Sequence, residues 1–487
     1  MFTKRPNAAK TYRGNTLRKR SGKLAVGLVL LGLTAAACSE ESASDPTTTA
    51  ATVEAPTTTA ASAETTAPGA VDTTAPAVVD TTAPAGPDVN EWALAYTGGT
   101  LGAAAGDPIK VGYVNQEDFF PENTIGINAA VEYVNSELGG AGGRPLEIVA
   151  CKISVAEDGA KCGTEMANDP DIAVVITGTI LYGNKELYDT LNGKKPVIVG
   201  NGVTTDDFLT PAGQAFTAGS PGVIPGLGGM ILKYLPEAKS VAILASNNPA
   251  GQAAADLLFR PVMEKNGVTV TYVGVDDTAT ASDVQAAMTA VGAETADVFV
   301  PLITIQQCIN VYDSIKALGI DPTVVTTGLC FGTPMTDHLK EAGEAGPVPN
   351  GWYFGGYGYS YFNPDVESGM QTYVTKVQEY GVPAPGASTL EYTGFAGPSF
   401  ANIMTLTKFL NESAGDTTLA TLDGQIRGFT GPMMLQVGPL ACGKQIILGI
   451  PFISVCGAQM GVQQYLDGEW ISIADGLNGE PIDVTKL

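Results

Sequence analysis

Short β-branched runs alternate along most of the chain with longer stretches whose apolar residues fall three or four apart, and that alternation predicts the elements. Residues 109–114 read as a buried strand. A polar loop over 115–122 follows, with Phe119 and Phe120 inside it. Asn123 is a candidate helix cap, and Ile127, Val131, Val134 and Leu138 then recur at helical spacing. Gly139, Gly140, Gly142 and Gly143 end that helix before a second strand at 146–150. Strand, helix and strand make one βαβ unit with a right-handed crossover. The same rhythm predicts helices over 156–168 and 182–191 and strands at 172–176, 196–199 and 215–218.

A second series starts at residue 239. Strands are expected at 239–245, 268–275, 296–301 and 322–327, with helices to Lys265 and over 282–291 and 304–318. Residues 346–353 read as a crossing strand, and 364–380 and 389–411 as helices. The tail reads as antiparallel strands at 429–437, 445–453 and 462–473, the last folded at Asp467-Gly468. The class is therefore α/β, two Rossmann-like lobes with parallel sheets covered on both faces.

Ligands in such sheets sit beyond the carboxyl ends of the strands. In the first series those ends supply Gln116, Phe119, Phe120, Thr179, Tyr182, Asn201, Thr204 and Thr205 as candidate ligand-binding residues. In the second series and the crossing they supply Asn248, Thr304, Leu329 and Tyr357. Tyr353, Tyr359 and Tyr361 offer further rings. Glu117 and Asp118 read as exposed loop acids, and His338 as a solvated residue on a polar helix face. Without another histidine there is no Ser-His-Asp arrangement. No GxSxG, HExxH or phosphate loop occurs, so a secreted hydrolase is the weakest functional reading.

The first 37 residues carry eight Lys or Arg and no acid, then an apolar run at 24–33 too short to span a bilayer. Thr34-Ala35-Ala36-Ala37-Cys38 resembles the site at which a lipoprotein leader is cut and the cysteine takes lipid. Residues 38–106 then read as a disordered, lipid-anchored tether, with Thr-Thr-Ala-Pro at 65–68, 73–76 and 81–84. Its Thr/Pro stretches are candidate glycosylation sites. About fifty such residues reach ~40 Å as a coil and ~150 Å as polyproline II.

Without the leader the chain holds 18 basic residues against 50 acidic. That balance argues against nucleic acid and against direct contact with an anionic membrane. Seven cysteines less Cys38 leave six on an exported chain. Position favours the pairs Cys151–Cys162, Cys308–Cys330 and Cys442–Cys456. Zinc is the rival reading, but there is no CxxC pair and only one histidine, so neither metal nor cofactor is expected.

The stretch GINAAVEYVNSELGGAGGRPLEIV, at 126–149, resembles the first helix, glycine turn and second strand of the type I periplasmic binding proteins, in their leucine/isoleucine/valine-binding branch. The wider likeness covers about 107–487. The resemblance implies two lobes joined by three crossover strands, the first formed by 107–219 with 351–428 and the second by 220–350 with 429–487. It also implies that a solute bound between the lobes is delivered, by a monomer, to an ABC permease. Thr204 and Thr205 match the family loop that grips an amino acid. Elsewhere the family's serine falls near Tyr182 or Gly183, its Asp-x-x-Tyr-Gly reads Asn247-Asn248-Pro249-Ala250-Gly251, and its acidic partner falls near Leu329 or Cys330. A buried ammonium without a carboxylate is costly, so amide, urea-like, aromatic and carboxylate solutes stand beside amino acids. A sensor that passes ligand state to a membrane partner is the alternative to an importer.

Overall fold

The computed structural model describes residues 88–357, 361, 364–474 and 480–487. The leader, Cys38, most of the expected tether and Tyr359 lie outside the described residues. The first sheet holds β1 (Ile109–Asn115), β2 (Leu146–Lys152), β3 (Ile172–Thr177), β4 (Val197–Val199) and β5 (Gly213–Ala215). All five run parallel in the order β2-β1-β3-β4-β5, with Ile109 opposite Leu146 and Lys110 opposite Ile172. β1, β3 and β4 are buried almost throughout, which is why they read as unbroken apolar runs. The chain order reverses between β1 and β3, so the crevice expected of such a sheet opens beyond Asn115 and Thr177.

One face of this sheet is covered by helices Pro121–Glu137, Met370–Tyr380 and Ala396–Glu412. The other is covered by Glu157–Asn168 and Asn184–Leu191. Helices from the far end of the chain thus complete the first lobe. Both start later than the sequence pattern suggested. Gly369, at φ +81°, sits against the Trp92 ring and turns the chain just before Met370. Residues 389–395 are not helical and instead reach toward the second lobe.

Two further expectations are corrected here. Asn123 does not cap the first long helix, which starts at Pro121 with Phe120 in the cap position. The span expected to be tether is not all tether. Helix Val89–Thr97, capped by Asp88, buries Ala93 and Thr97 against the first lobe, and its Trp92 indole N–H donates to the Glu367 carbonyl (3.2 Å).

The second sheet places β6 (Ser240–Ser246) between β7 (Thr269–Val275) and β8 (Val298–Leu302), all parallel. A bridge between Phe299 and Val324 leads on to β9 (Val325–Thr327), which is parallel to β10 (Tyr353–Gly356). The crossing strand is therefore later and shorter than expected, because Gly346, Pro347 and Pro349 interrupt the preceding stretch. The hairpin strands β11 (Gln445–Ile447) and β12 (Ile450–Phe452) turn at Leu448-Gly449, both at positive φ. β13 (Gln459–Leu466) and β14 (Glu469–Ala474) turn at Asp467-Gly468 as the sequence suggests, β13 lies antiparallel to β10, and β15 (Ile482–Asp483) pairs with β13. Residues 429–437 form no strand. Gly431 and Pro432 break it, and Phe429, Met433, Met434 and Leu435 are buried in the core of the first lobe, with the Leu435 and Val437 N–H groups donating to the Ser368 and Tyr357 carbonyls.

The six cysteines pair as Cys151–Cys162, Cys308–Cys330 and Cys442–Cys456. A second tie joins the long helices of lobe one. The Lys376 ammonium, nearly buried, meets Glu137 at 2.6 Å and Glu379 at 2.8 Å and lies over the Tyr133 ring. Among the described residues no helix is long and apolar enough to cross a membrane.

Two outcomes test this packing. A methyl group on Gly126 would collide with the Ala396 carbonyl where two helices touch. Gly126→Ala is expected to cost about 1–3 kcal/mol in urea unfolding. Glu122, in the first turn of the same helix, is pushed from 4.5 up to about 8 by burial first, with the Glu391 and Glu117 charges adding. A raised carboxyl stabilises the fold while protonated, fully below its ordinary value and less as pH climbs through 8. Stability is therefore expected to fall from about pH 4.5 to 8, and Glu122→Gln to flatten that fall in urea titrations across the range.

Candidate functional site

The strand-end loops of lobe one are fastened by amides. Asn123, fully buried, donates to the Thr179 hydroxyl and the Phe120 carbonyl, both at 3.2 Å. Its oxygen accepts from Asn201 at 2.9 Å and Ser399 at 2.8 Å. Asn115 at the end of β1 accepts the Thr179 N–H (3.1 Å) and donates to the Phe120 carbonyl (2.9 Å). Gln116 accepts the Leu181 N–H at 2.8 Å. Each of these buried amides is paired through at least one end, and the pairs fix three loops and one helix relative to each other.

That network changes the role of several expected site residues. Gln116, Thr179 and Asn201 hold the loops and do not line the cleft. Tyr182 donates to the Ser154 carbonyl, and Phe119 packs outside Phe120, so both sit at the rim. Thr204 caps helix Thr205–Leu209, in a box where Asp207 returns the bond, and Thr205 is exposed. None of these seven lines the cavity. Glu117 accepts from Asn115 and Thr124, and Asp118 pairs with Lys152 at 2.6 Å, so neither acid faces a ligand. His338 is paired with Asp313 at 2.8 Å rather than simply solvated.

Phe120, Asn248, Thr304, Leu329 and Tyr357 do line a cavity of ≈ 160 Å³ between the lobes. Lobe one adds Leu181 and Phe395, whose ring meets Phe120 edge-on at 5.7 Å. Lobe two adds Phe331 and Phe354, edge-on at 5.1 Å. Tyr361 joins the two sides, touching Phe331 and Tyr373 with its ring and donating to the Gly394 carbonyl at 2.8 Å. Sequence reasoning missed Leu181, Phe331, Phe354 and Phe395. The floor is bare because Gly356 on β10 lies opposite Gly461 on β13, and a Cβ on Gly356 would meet nothing within 4 Å. Those paired glycines, two residues from Phe354 and Gln463, were the available signal.

No Asp, Glu, Lys, Arg or His is among the described lining residues. The acids nearby are occupied or neutralised. Asp277 accepts from Ser246 at 2.5 Å and Asn248 at 2.8 Å. Glu122 lies behind Gly394 with its carboxyl raised by burial. Glu391, also raised by burial, accepts the Thr333 N–H at 2.5 Å. That last contact runs from lobe one to the helix Thr333–Glu341 of lobe two, beside Thr389 donating to Asp337 at 3.0 Å. The lobes therefore touch away from the hinge as well as through it. Among the described residues no group of three or more His, Cys, Asp or Glu is placed to hold a metal ion.

Comparisons with known proteins agree with this geometry. The family model described as "Periplasmic binding protein" matches residues 108–440. A search of curated proteins finds no match. Solved structures with the same fold include a solute-binding protein of an ABC transporter from R. palustris in complex with 4-hydroxybenzoate, at TM-score 0.58 and 15% identity, covering 76% of this chain and 98% of that one. The leucine-binding protein of Thermotoga maritima matches at TM-score 0.58 and 13% identity, covering 78% and 100%. The branched-chain amino acid transporter substrate-binding protein LivJ of Streptococcus pneumoniae, in complex with isoleucine, matches at 0.54 and 15%, covering 76% and 98%. With two α/β lobes around a cleft and a family model spanning most of its length, the chain belongs to the periplasmic binding protein family and is a binding protein of the type I architecture rather than an enzyme.

Proposed function

We propose that this chain captures a small single-ring aromatic solute between its lobes and hands it, as a monomer, to an ABC-type permease. Its place is outside the cytoplasm, anchored through lipid on Cys38 by the Thr/Ala/Pro tether. The observation that carries the ligand class is the lining, in which Phe120, Phe395, Phe331, Phe354 and Tyr357 surround a volume with no ionised side chain among the described residues. The size agrees, since an apolar cavity of about 150 Å³ accepts one benzene ring and this one measures ≈ 160 Å³. Rings packed edge-on leave room for another between them. The 4-hydroxybenzoate complex of the R. palustris protein supports the same class.

The delivery mechanism follows from two-sided contact. A solute that touches Phe120 and Phe395 on one lobe and Phe331 and Phe354 on the other binds the lobes-together form better, and so shifts the hinge equilibrium toward it. Helices Ile305–Leu318 and Ala396–Glu412 begin at the cleft, and their N-termini favour any partial negative charge on the solute. A second reading, a branched-chain amino acid, rests on Glu122. Its carboxyl lies 3.8 Å from the Cβ that Gly394 lacks and could face an ammonium across that gap.

Thermal-shift measurements on the secreted chain separate the two. Benzoates and phenols at a hundredfold excess over Kd are expected to raise Tm by roughly 3–5 °C, with leucine, isoleucine and valine silent. A shift with the amino acids and none with the aromatics overturns the aromatic reading. Gly356→Val, which fills the bare floor without straining a strand position, is expected to weaken aromatic binding at least about tenfold by calorimetry while leaving the unliganded Tm unchanged.

A further inference from the structure

We infer that Gln463 is the specificity-determining residue of the cleft and reads a hydroxyl group on the ring of the solute. This rests on the aromatic reading above and adds which aromatic solutes are selected. Gln463 lies in β13, with Phe354 of β10 directly opposite and Ser472 of β14 on its other side. Strand alternation puts it on the same face as Tyr465, whose ring meets Trp470 at 5.4 Å. Phe331 closes over that face, 5.1 Å from Phe354 and 6.0 Å from Trp470. A lone carboxamide therefore sits in a box of aromatic rings and lines the cavity.

Its burial makes it informative. Gln463 is 7% exposed, and its Nε2 has no hydrogen-bond partner among the described residues. Several other polar side chains of the cavity are engaged elsewhere. Ser246 and Asn248 bind Asp277, and the Tyr361 hydroxyl donates to the Gly394 carbonyl. A buried amide left unpaired costs more than a hydrogen bond returns, so an amide kept at this place calls for a partner that arrives with the solute.

The chemistry of that partner follows from the amide itself. A carboxamide offers two N–H donors and one acceptor oxygen. A hydroxyl donates one proton and accepts through its lone pairs, so it satisfies both ends of the amide without bringing charge. A carboxylate accepts only and brings a charge that no side chain in the box neutralises. An ammonium donates only and has the same defect. Gly356 and Gly461, one strand step away on the same face, leave the space in which the ring stands while its hydroxyl reaches Gln463.

The test measures Kd by calorimetry for matched pairs, 4-methylphenol against toluene and 4-hydroxybenzoate against benzoate, on the full mature chain and on Gln463→Leu and Gln463→Met. The parent is expected to prefer the hydroxylated member of each pair about tenfold or more. Both variants, checked for folding by Tm, are expected to lose most of that preference while still binding toluene and benzoate. Should the variants not fold, the preference of the parent alone decides. Equal affinity for both members in the parent, or an unchanged preference in the variants, overturns the assignment of Gln463 and leaves the aromatic reading standing, with a bound water as the partner of the amide. Binding of no aromatic compound by the parent overturns both.

Discussion

An ionised group leaves water only when a partner meets it, and that cost shapes this molecule from its core to its cleft. Lys376 enters the helix layer of lobe one because Glu137 and Glu379 meet it. Asp277 stays behind the cleft with both oxygens engaged. Glu122 has no such cation, and burial raises its carboxyl until the neutral form prevails. The cleft obeys the same rule by carrying no charged side chain among its described lining residues. Any negative charge on a solute is then met by backbone groups, at the N-termini of helices Ile305–Leu318 and Ala396–Glu412.

Amides position what charge does not. Asn123 draws the loops after β1, β3 and β4 and the helix Ala396–Glu412 onto one side chain. Phe120 and Phe395, which flank the cavity, are held by that network on two separate segments of the chain. Backbone bonds tie distant segments here, with Ala215 bonded to Ser454 and Cys456 and the 435–437 segment bonded to Ser368 and Tyr357. The Glu391 contact with the Thr333 helix is a different kind of tie, a carboxylate on a helix N-terminus.

Much of the fold was legible because it rests on local rules. The unit β1, helix Pro121–Glu137 and β2 followed from apolar spacing and four glycines, and the Asp467-Gly468 hairpin from its turn residues. The site was less legible because the same residue types serve two ends. Asn115, Gln116, Thr179 and Asn201 were placed at the right ends of the right strands, yet their polarity fastens loops and does not meet a ligand. Thr204 three residues before Asp207 was a capping box in plain sight. Phe331, Phe354 and Phe395 come together from three distant segments, and no periodicity records that. Gln463 looks like the solvent-facing member of an alternating strand. Only the opposed glycines at 356 and 461 hint that this face is hollow.

The central claim, that the cleft selects a single aromatic ring, is tested most directly by native mass spectrometry of the chain purified from its producing cells without refolding, with the released adduct fragmented. The expected adduct is a single-ring aromatic compound lacking a primary amine. Release of leucine, isoleucine, valine or another aliphatic amino acid from the native protein contradicts it.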